Sequence, residues 1–327
     1  MRQARNTVAR AKVEFDAAKQ DLIIRTSEAY FNVLAAQDSF SFAKSEKQAI
    51  QRQLEQAEKR FEVGLIPITD VKEAQASYDL AIAREIDAQI QLELVTDALA
   101  VITGERLESF SDLSDNIELT RPEPSNVDEW IASAHDNNLA ILISEYDTRI
   151  AQQDILLNKA QHHPTLEFIA TYSDSDTGGI SGSREVENGL VGLELNIPIF
   201  SGGRAYYQTK ESEHLHRATI ETHERIRRET TRDTRDAFHN VVAGISRVNA
   251  FERAVESAQI AAEATEAGFE VGTRTSVDVL LALRTVFESQ RDLSQARYDY
   301  LLDTLNLKQA SGSLSPDDLL QINAWLE

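Results

Sequence analysis

The chain has no cysteine in 327 residues, which excludes thiol chemistry and disulfides and suits an oxidising compartment. Glycine (13) and proline (6) are scarce, while Ala, Gln, Glu, Leu and Arg are plentiful. That is the usage of long helices and argues against one compact globule. Positive charge is outnumbered, 33 Lys and Arg against 54 Asp and Glu, and the net −21 disfavours non-specific binding to nucleic acid or to an anionic membrane face. A large solvated helical surface accounts for this charge; an electronegative lumen favouring cations is the alternative. No apolar run reaches the length of a membrane-spanning helix, so any membrane insertion falls to strands. The start, Met1-Arg-Gln-Ala-Arg, opens on a polar helical pattern without a signal peptide.

What is present is a repeat. Arg60–Val71 (RFEVGLIPITDV) returns 208 positions later as Gly268–Val279 (GFEVGTRTSVDV). The register holds without a gap from Glu28, paired with Asp236, to Gly104, paired with Gly312. This is one structural unit used twice, and its period is too long for a solenoid, so it reads as the duplicated half of a larger object.

Each copy begins with a breaker-free helical pattern, from Arg5 to about Glu62 and from about Ala205 to Glu270. Apolar residues such as Val8, Ala11, Phe15, Ala18 and Leu22 recur at three- and four-residue steps. At 1.5 Å per residue each helix is roughly 90–100 Å long and needs neighbours along its length. Ala35, Ala36, Ala43, Ala49 and Ala57 permit close approach. Each pattern stops at a glycine, in Val63-Gly64-Leu65 and Val271-Gly272-Thr273, where the left-handed conformation ends a helix. Pro67 suits the first turn of the next helix, and Thr69 or Thr275 can cap it. The returning helices run about Asp70–Thr103 and Val277–Ser311. Residues 1–104 and 204–312 are therefore two helical hairpins. Residues 105–126 form an acidic connector with at most a short helix. A helix over 127–163 is capped by Ser125 or Asn126 and broken near Asn137-Asn138, and 313–327 is a short amphipathic tail through Leu319, Leu320 and Trp325.

Residues 164–203 carry two strands. Leu166, Phe168, Ala170 and Tyr172 alternate with Thr165, Glu167, Ile169 and Thr171, and Val191, Leu193, Leu195 and Ile197 alternate with Leu190, Gly192, Glu194 and Asn196. Such alternation marks a transmembrane barrel strand and equally a half-buried hairpin. Ser173–Asn188, rich in Gly, Ser and Asp, reads as a long exposed loop. In the repeat register residue 1 pairs with Thr209, so the second copy is preceded by a helix and two strands that the first lacks. Two strands alone leave unpaired edges. The register thus predicts an N-terminally truncated chain that has lost a helix, two strands and a signal peptide.

Several stretches in order carry a family resemblance: Glu28-Ala-Tyr-Phe-Asn-Val-Leu, Arg52-Gln-Leu-Glu-Gln-Ala, Arg60-Phe-Glu-Val-Gly-Leu-Ile, Ile68-Thr-Asp-Val, Leu195-Asn-Ile-Pro-Ile-Phe-Ser-Gly-Gly, Val271-Gly-Thr-Arg-Thr, Val277-Asp-Val-Leu and Ala296-Arg-Tyr-Asp-Tyr-Leu. Together they span essentially the whole chain, and it resembles the TolC family of trimeric outer-membrane channel-tunnel proteins. The resemblance implies a mainly α fold with a small β part. In it, the long coiled-coil-like hairpins of a homotrimer form a periplasmic α-barrel tunnel belted by a mixed equatorial region. Each protomer gives four strands to a twelve-stranded β-barrel in outer-membrane lipid, and only two are present here. It further implies a passive exit duct for drug efflux, type I protein secretion or both, working with a periplasmic adaptor and an inner-membrane transporter of RND, ABC or MFS type.

The same resemblance makes Val63, Gly64, Leu65, Val271, Gly272 and Thr273 the tunnel tip at which the adaptor docks; a plain C-cap role for the glycines stands beside it. It places Asp278 and Asp70 as carboxylate rings at a constriction, where the plain alternative is dipole complementation at a helix start. Arg274 then acts as a latch toward Asp70, Thr69 or a neighbour's backbone. Two positions depart from the family. Leu281 stands where close relatives carry a second aspartate, and Phe269 where they often carry Tyr. The closed tip here should lean more on apolar contact and on Arg274.

His162-His163 sit at a corner, His214 and His216 face different sides of a helix, and His223-Glu224 lacks the second histidine of a zinc-hydrolase helix. No metal, cofactor or catalytic constellation is expected, and no enzyme. Two rival readings remain. A periplasmic coiled-coil scaffold would not insert in a membrane, and a periplasmic adaptor would carry one hairpin between lipoyl-like halves, which this chain lacks.

Overall fold

The computed structural model describes residues 2–107, 109–111, 113–114, 118–179 and 182–325. In order the elements are α1 (Arg2–Glu62), α2 (Ile68–Thr103), α3 (Val127–Asn137), α4 (Leu139–Ala160), β1 (Thr165–Gly179), β2 (Gly182–Asn196), α5 (Arg204–Glu270), α6 (Ser276–Ala310) and α7 (Pro316–Asn323). The fold is mainly α with one β-hairpin. Helix α1 runs 61 residues with no Gly or Pro inside it, and α5 runs 67. Helices this long draw their stability from lateral packing, since propensity alone is marginal.

The chain divides into two compact units. The first comprises Met1–Glu14 and Ala140–Arg227. Its helices meet through small and polar side chains: Ala205, Thr209 and Ser212 are buried. Gln3 Nε2 donates to Asp154 Oδ1 at 2.6 Å, Asn158 Nδ2 donates to Ser212 Oγ at 2.5 Å, and Ser144 Oγ lies 2.8 Å from His223 Nδ1. Small residues at helix spacing let backbones approach, and the polar bridges satisfy what that approach buries.

The second unit comprises Phe15–Leu139 and Arg228–Glu327. Phe31, Leu34, Trp130, Phe238, Val241, Tyr298, Tyr300, Leu301 and Leu305 form its main core, and Phe110, Leu113, Leu119, Leu319 and Trp325 pack on it from the connector and the tail. A second cluster, Ile50, Leu54, Ala57, Val71, Ala74, Ala81 and Leu280, joins α1, α2 and α6. Polar ties fix the connector: the Tyr300 hydroxyl donates to Thr120 O at 3.0 Å and accepts from Thr120 N at 3.1 Å, and Ser114 N donates to Trp325 O. Asn126 caps α3, and Asn138 separates α3 from α4 in extended conformation.

Four sequence expectations change. Ser173–Asn188 is no loop: β1 and β2 pair antiparallel from Thr165↔Asn196 out to Gly179↔Gly182. The ladder is made by backbone groups, so a Ser-, Asp- and Gly-rich composition weakens the strands without breaking them. Ile197 lies just beyond β2. The next rung would oppose Pro164, which has no N–H to give. Thr69 lies inside α2 and caps nothing; Pro67 holds the N-cap position in extended conformation. The connector contains no helix among the described residues.

Candidate functional site at the hairpin reversals

The two reversals are built alike. Gly64 (φ 74°) and Gly272 (φ 81°) are left-handed, a conformation that disfavours any side chain. Around the first, Gly64 N donates to Phe61 O at 2.9 Å and Leu65 N to Arg60 O at 2.8 Å. Around the second, Gly272 N donates to Phe269 O at 3.1 Å and Thr273 N to Gly268 O at 2.8 Å. Each is a Schellman closure, which satisfies the last helix carbonyls and turns the chain within a few residues. A Cβ at either glycine would meet nothing within 4 Å, so backbone conformation alone demands glycine within the chain. The closures thrust apolar side chains into solvent: Val63 is 70% exposed, Leu65 72% and Val271 76%.

Helix α6 starts with a capping box. Thr275 Oγ1 accepts from Asp278 N at 3.2 Å, and Asp278 Oδ2 accepts from Thr275 N and from its hydroxyl, each at 2.9 Å. The Thr275 backbone bond, then its hydroxyl and the nearby Arg274, hold the Asp278 carboxyl below its usual range. Asp70 occupies the first turn of α2 and accepts from Thr69 Oγ1 at 3.3 Å. Within the chain Arg274 is bonded to neither of these two residues. Its stem lies over Gly268, where an added Cβ would sit 2.8 Å from Arg274 Cγ. Leu281 is exposed at the edge of a cavity of about 280 Å³ that Ile50, Leu80, Leu280, Glu46 and Arg84 also line. Phe269 is 4% exposed, beneath the Arg60 guanidinium.

Three participants escaped the sequence reading. Arg60 stands 4.2 Å over the Phe269 ring and Gly268 makes room for Arg274. Glu46, 1% exposed, is bound by Arg84 at 2.6 Å and Arg291 at 3.2 Å. A signal for the first two existed: Arg60 and Gly268 are repeat-mates that differ.

In the other unit, the β-hairpin stacks Leu166 against Leu195, Phe168 against Leu193 and Ala170 against Val191 across the strands, with Tyr172 opposite Gly189. On this one face Leu166, Phe168, Tyr172, Val191, Leu193 and Leu195 are 59–73% exposed. Farther along, Asp174, Glu185 and Glu187 bring exposed carboxylate oxygens within 4.8 Å of one another. No described helix is long and apolar enough to cross a membrane.

The profile of the outer membrane efflux protein family matches residues 1–105 and 130–313. The chain belongs to this family. Among relatives within it or near it, the outer membrane protein TolC of Vibrio cholerae is 37% identical over 328 residues, covering 99% of this chain and 75% of that protein. The alkaline protease secretion protein AprF of Pseudomonas aeruginosa is 28% identical over 311 residues, covering 93% of this chain and 64% of that protein. In fold, this efflux-family chain superposes on the outer membrane protein VceC of Vibrio cholerae with a TM-score of 0.77 at 22% identity, over 95% of this chain and 74% of that one. The chain thus spans three quarters of the first relative and less than two thirds of the second.

Proposed function

We propose that this protein is a passive exit duct of the outer membrane, exporting drugs, proteins or both, and gated at the helical tip. The observation that carries the reading is the β-hairpin face of cross-strand apolar pairs. It stays exposed on the chain, while the other face is mainly polar, carrying Thr165, Glu167, Thr171, Glu194 and Asn196 beside Ile169 and Leu190, which suits a lipid-facing barrel wall. As a homotrimer the protein would close that wall into a barrel and remove the hairpin's unpaired edges. The exposed apolar tips (Val63, Leu65, Val271) suit a periplasmic adaptor that links the duct to an inner-membrane transporter of RND, ABC or MFS type. Asp278, Asp70 and Arg274 supply charge near the opening, and Leu281 and Phe269 its apolar part. A scaffold that never enters a membrane would expose the same apolar face to water at a lasting cost.

The test is to separate inner and outer membranes of cells expressing the protein and to reconstitute the purified oligomer in planar bilayers. The duct reading expects outer-membrane fractionation and discrete conductance steps. A protein that stays in the soluble periplasmic fraction and carries no current is the scaffold instead.

A further inference from the structure

We infer that Arg60 is the latch that holds the first hairpin to the second at the tip, an inference that rests on the gated-duct reading. Arg60 lies at the end of α1, and its guanidinium carbon stands 4.2 Å over the ring centroid of Phe269, near the end of α5. From there Nη1 donates to the Phe269 carbonyl at 3.2 Å. Both ends of this contact belong to the reversals themselves. The Arg60 carbonyl accepts the Leu65 N–H that closes the first turn, and the Phe269 carbonyl accepts the Gly272 N–H that closes the second. One side chain therefore joins two Schellman closures.

Three further features make it a latch and not incidental packing. Phe269 is 4% exposed and Arg60 half-buried, so the ring side of the contact is shielded from water, which strengthens cation–π attraction. The arrangement also runs one way. The repeat-mate of Arg60 is Gly268, and the space a side chain would take there is filled by the stem of Arg274. Of these two repeat-mates, Arg60 carries the side chain that crosses to the other hairpin. Finally, Phe269 has no hydroxyl, so its ring face and carbonyl are what it offers a partner, and a planar guanidinium uses both at once. Parting the two hairpin ends would break this bond, bare the Phe269 ring and leave a carbonyl with one partner fewer.

The test is single-channel recording of the trimer in planar bilayers for Arg60→Gln, Arg60→Lys, Phe269→Leu, Phe269→Tyr and the double variant Arg60→Gln/Phe269→Leu. The latch predicts that Arg60→Gln raises open-state occupancy by about tenfold for each subunit whose tip must release, since every subunit of the trimer loses its tie and a tie of about 1.4 kcal/mol converts to one decade. Phe269→Leu should match it, the double variant should not exceed either single one, and Arg60→Lys should fall between wild type and Arg60→Gln. Phe269→Tyr, which keeps the ring, should stay at or below the wild-type value. An Arg60→Gln trace identical to wild type overturns the latch while leaving the duct intact. So does a double variant whose increase is the product of the two singles, and so does a rise with Phe269→Tyr. A wild-type oligomer that passes no current overturns the duct reading itself.

Discussion

Asp278 accepts two hydrogen bonds from Thr275, one from its backbone N–H and one from its hydroxyl, each at 2.9 Å, and returns one through its own N–H at 3.2 Å. The carboxylate proposed for the constriction is thus also the one that starts α6. One oxygen is committed to the cap and the other remains for a ligand. The two duties are separable because they use different atoms.

Replacing Thr275 by Ala should remove the cap at a cost of about 1 kcal/mol of stability while leaving the charge. Asp278→Asn should remove the charge while keeping an amide that can still accept. Block of the conducting trimer by divalent cations should therefore weaken in Asp278→Asn and persist in Thr275→Ala, measured by titrating Mg²⁺ in planar bilayers. The pH sign follows from the same bonds. The Asp278 carboxyl is depressed by Thr275 and then Arg274, so its contribution is full above the ordinary carboxyl value of 3.8 and is lost as pH falls through the lower folded value. Acid unfolding of Thr275→Ala should begin at a higher pH than that of wild type.

That cap also shows what the sequence could and could not give. The four glycine stops and the Asn126 cap follow from local chemistry, and the helix limits fall within a turn of where periodicity and breakers put them. Of the two threonines expected to cap the returning helices, Thr275 does so and Thr69 does not, and the repeat register explains the difference. Thr275 is the repeat-mate of Pro67, and that position is the N-cap in both copies; Thr69 is the mate of Val277, inside the helix. The outer half of the β-hairpin is not legible in the sequence because strand propensity reads side chains, whereas the Ser173↔Asn188 and Asp174↔Glu187 rungs are held by backbone groups. Glu46 between two arginines depends on how separate helices meet, which no local pattern records, and for Arg60 over Phe269 the repeat offers a hint in the mismatch of Arg60 with Gly268 but not the partner.

Gly104 and Gly312 are repeat-mates with nearly the same backbone, φ 79° and 76°, and entirely different surroundings. A Cβ on Gly104 meets nothing within 4 Å, while one on Gly312 would fall 2.4 Å from the carbonyl oxygen of Asn137, at the break between α3 and α4. Gly104→Ala should cost only the left-handed strain, about 1–2 kcal/mol. Gly312→Ala adds a backbone collision that neither partner can escape, because Asn138 Nδ2 is itself bonded to Ala310 O at 2.9 Å. Urea unfolding of the two variants should show a clearly lower midpoint for Gly312→Ala than for Gly104→Ala. Equal midpoints would mean that the α3–α4 break yields, and that its position is not fixed by α6.

Glu46 provides the last test, because its surroundings set two stabilising effects against each other. Its carboxylate, 1% exposed, receives Arg84 of α2 at 2.6 Å and Arg291 of α6 at 3.2 Å, so one α1 residue holds two other helices. Removing one member of a buried ion group leaves the rest uncompensated, which typically costs 3–5 kcal/mol. Both arginines keep some contact with water, their side chains 35% and 26% exposed, so the loss in Glu46→Ala should lie nearer about 2–3 kcal/mol. Arg291→Met should cost less than Glu46→Ala, because Arg84 still neutralises the carboxylate through the shorter bond. Replacing all three by apolar residues of similar volume removes every uncompensated charge. Thermal unfolding should then place the triple variant close to wild type and well above Glu46→Ala. If it does, the triad contributes little net stability, and its consequence is geometric: Glu46 fixes the rotation of α2 and α6 about α1, which a featureless apolar patch would leave free to slip. A triple variant as unstable as Glu46→Ala would instead assign the ion group a direct share in holding the three helices together.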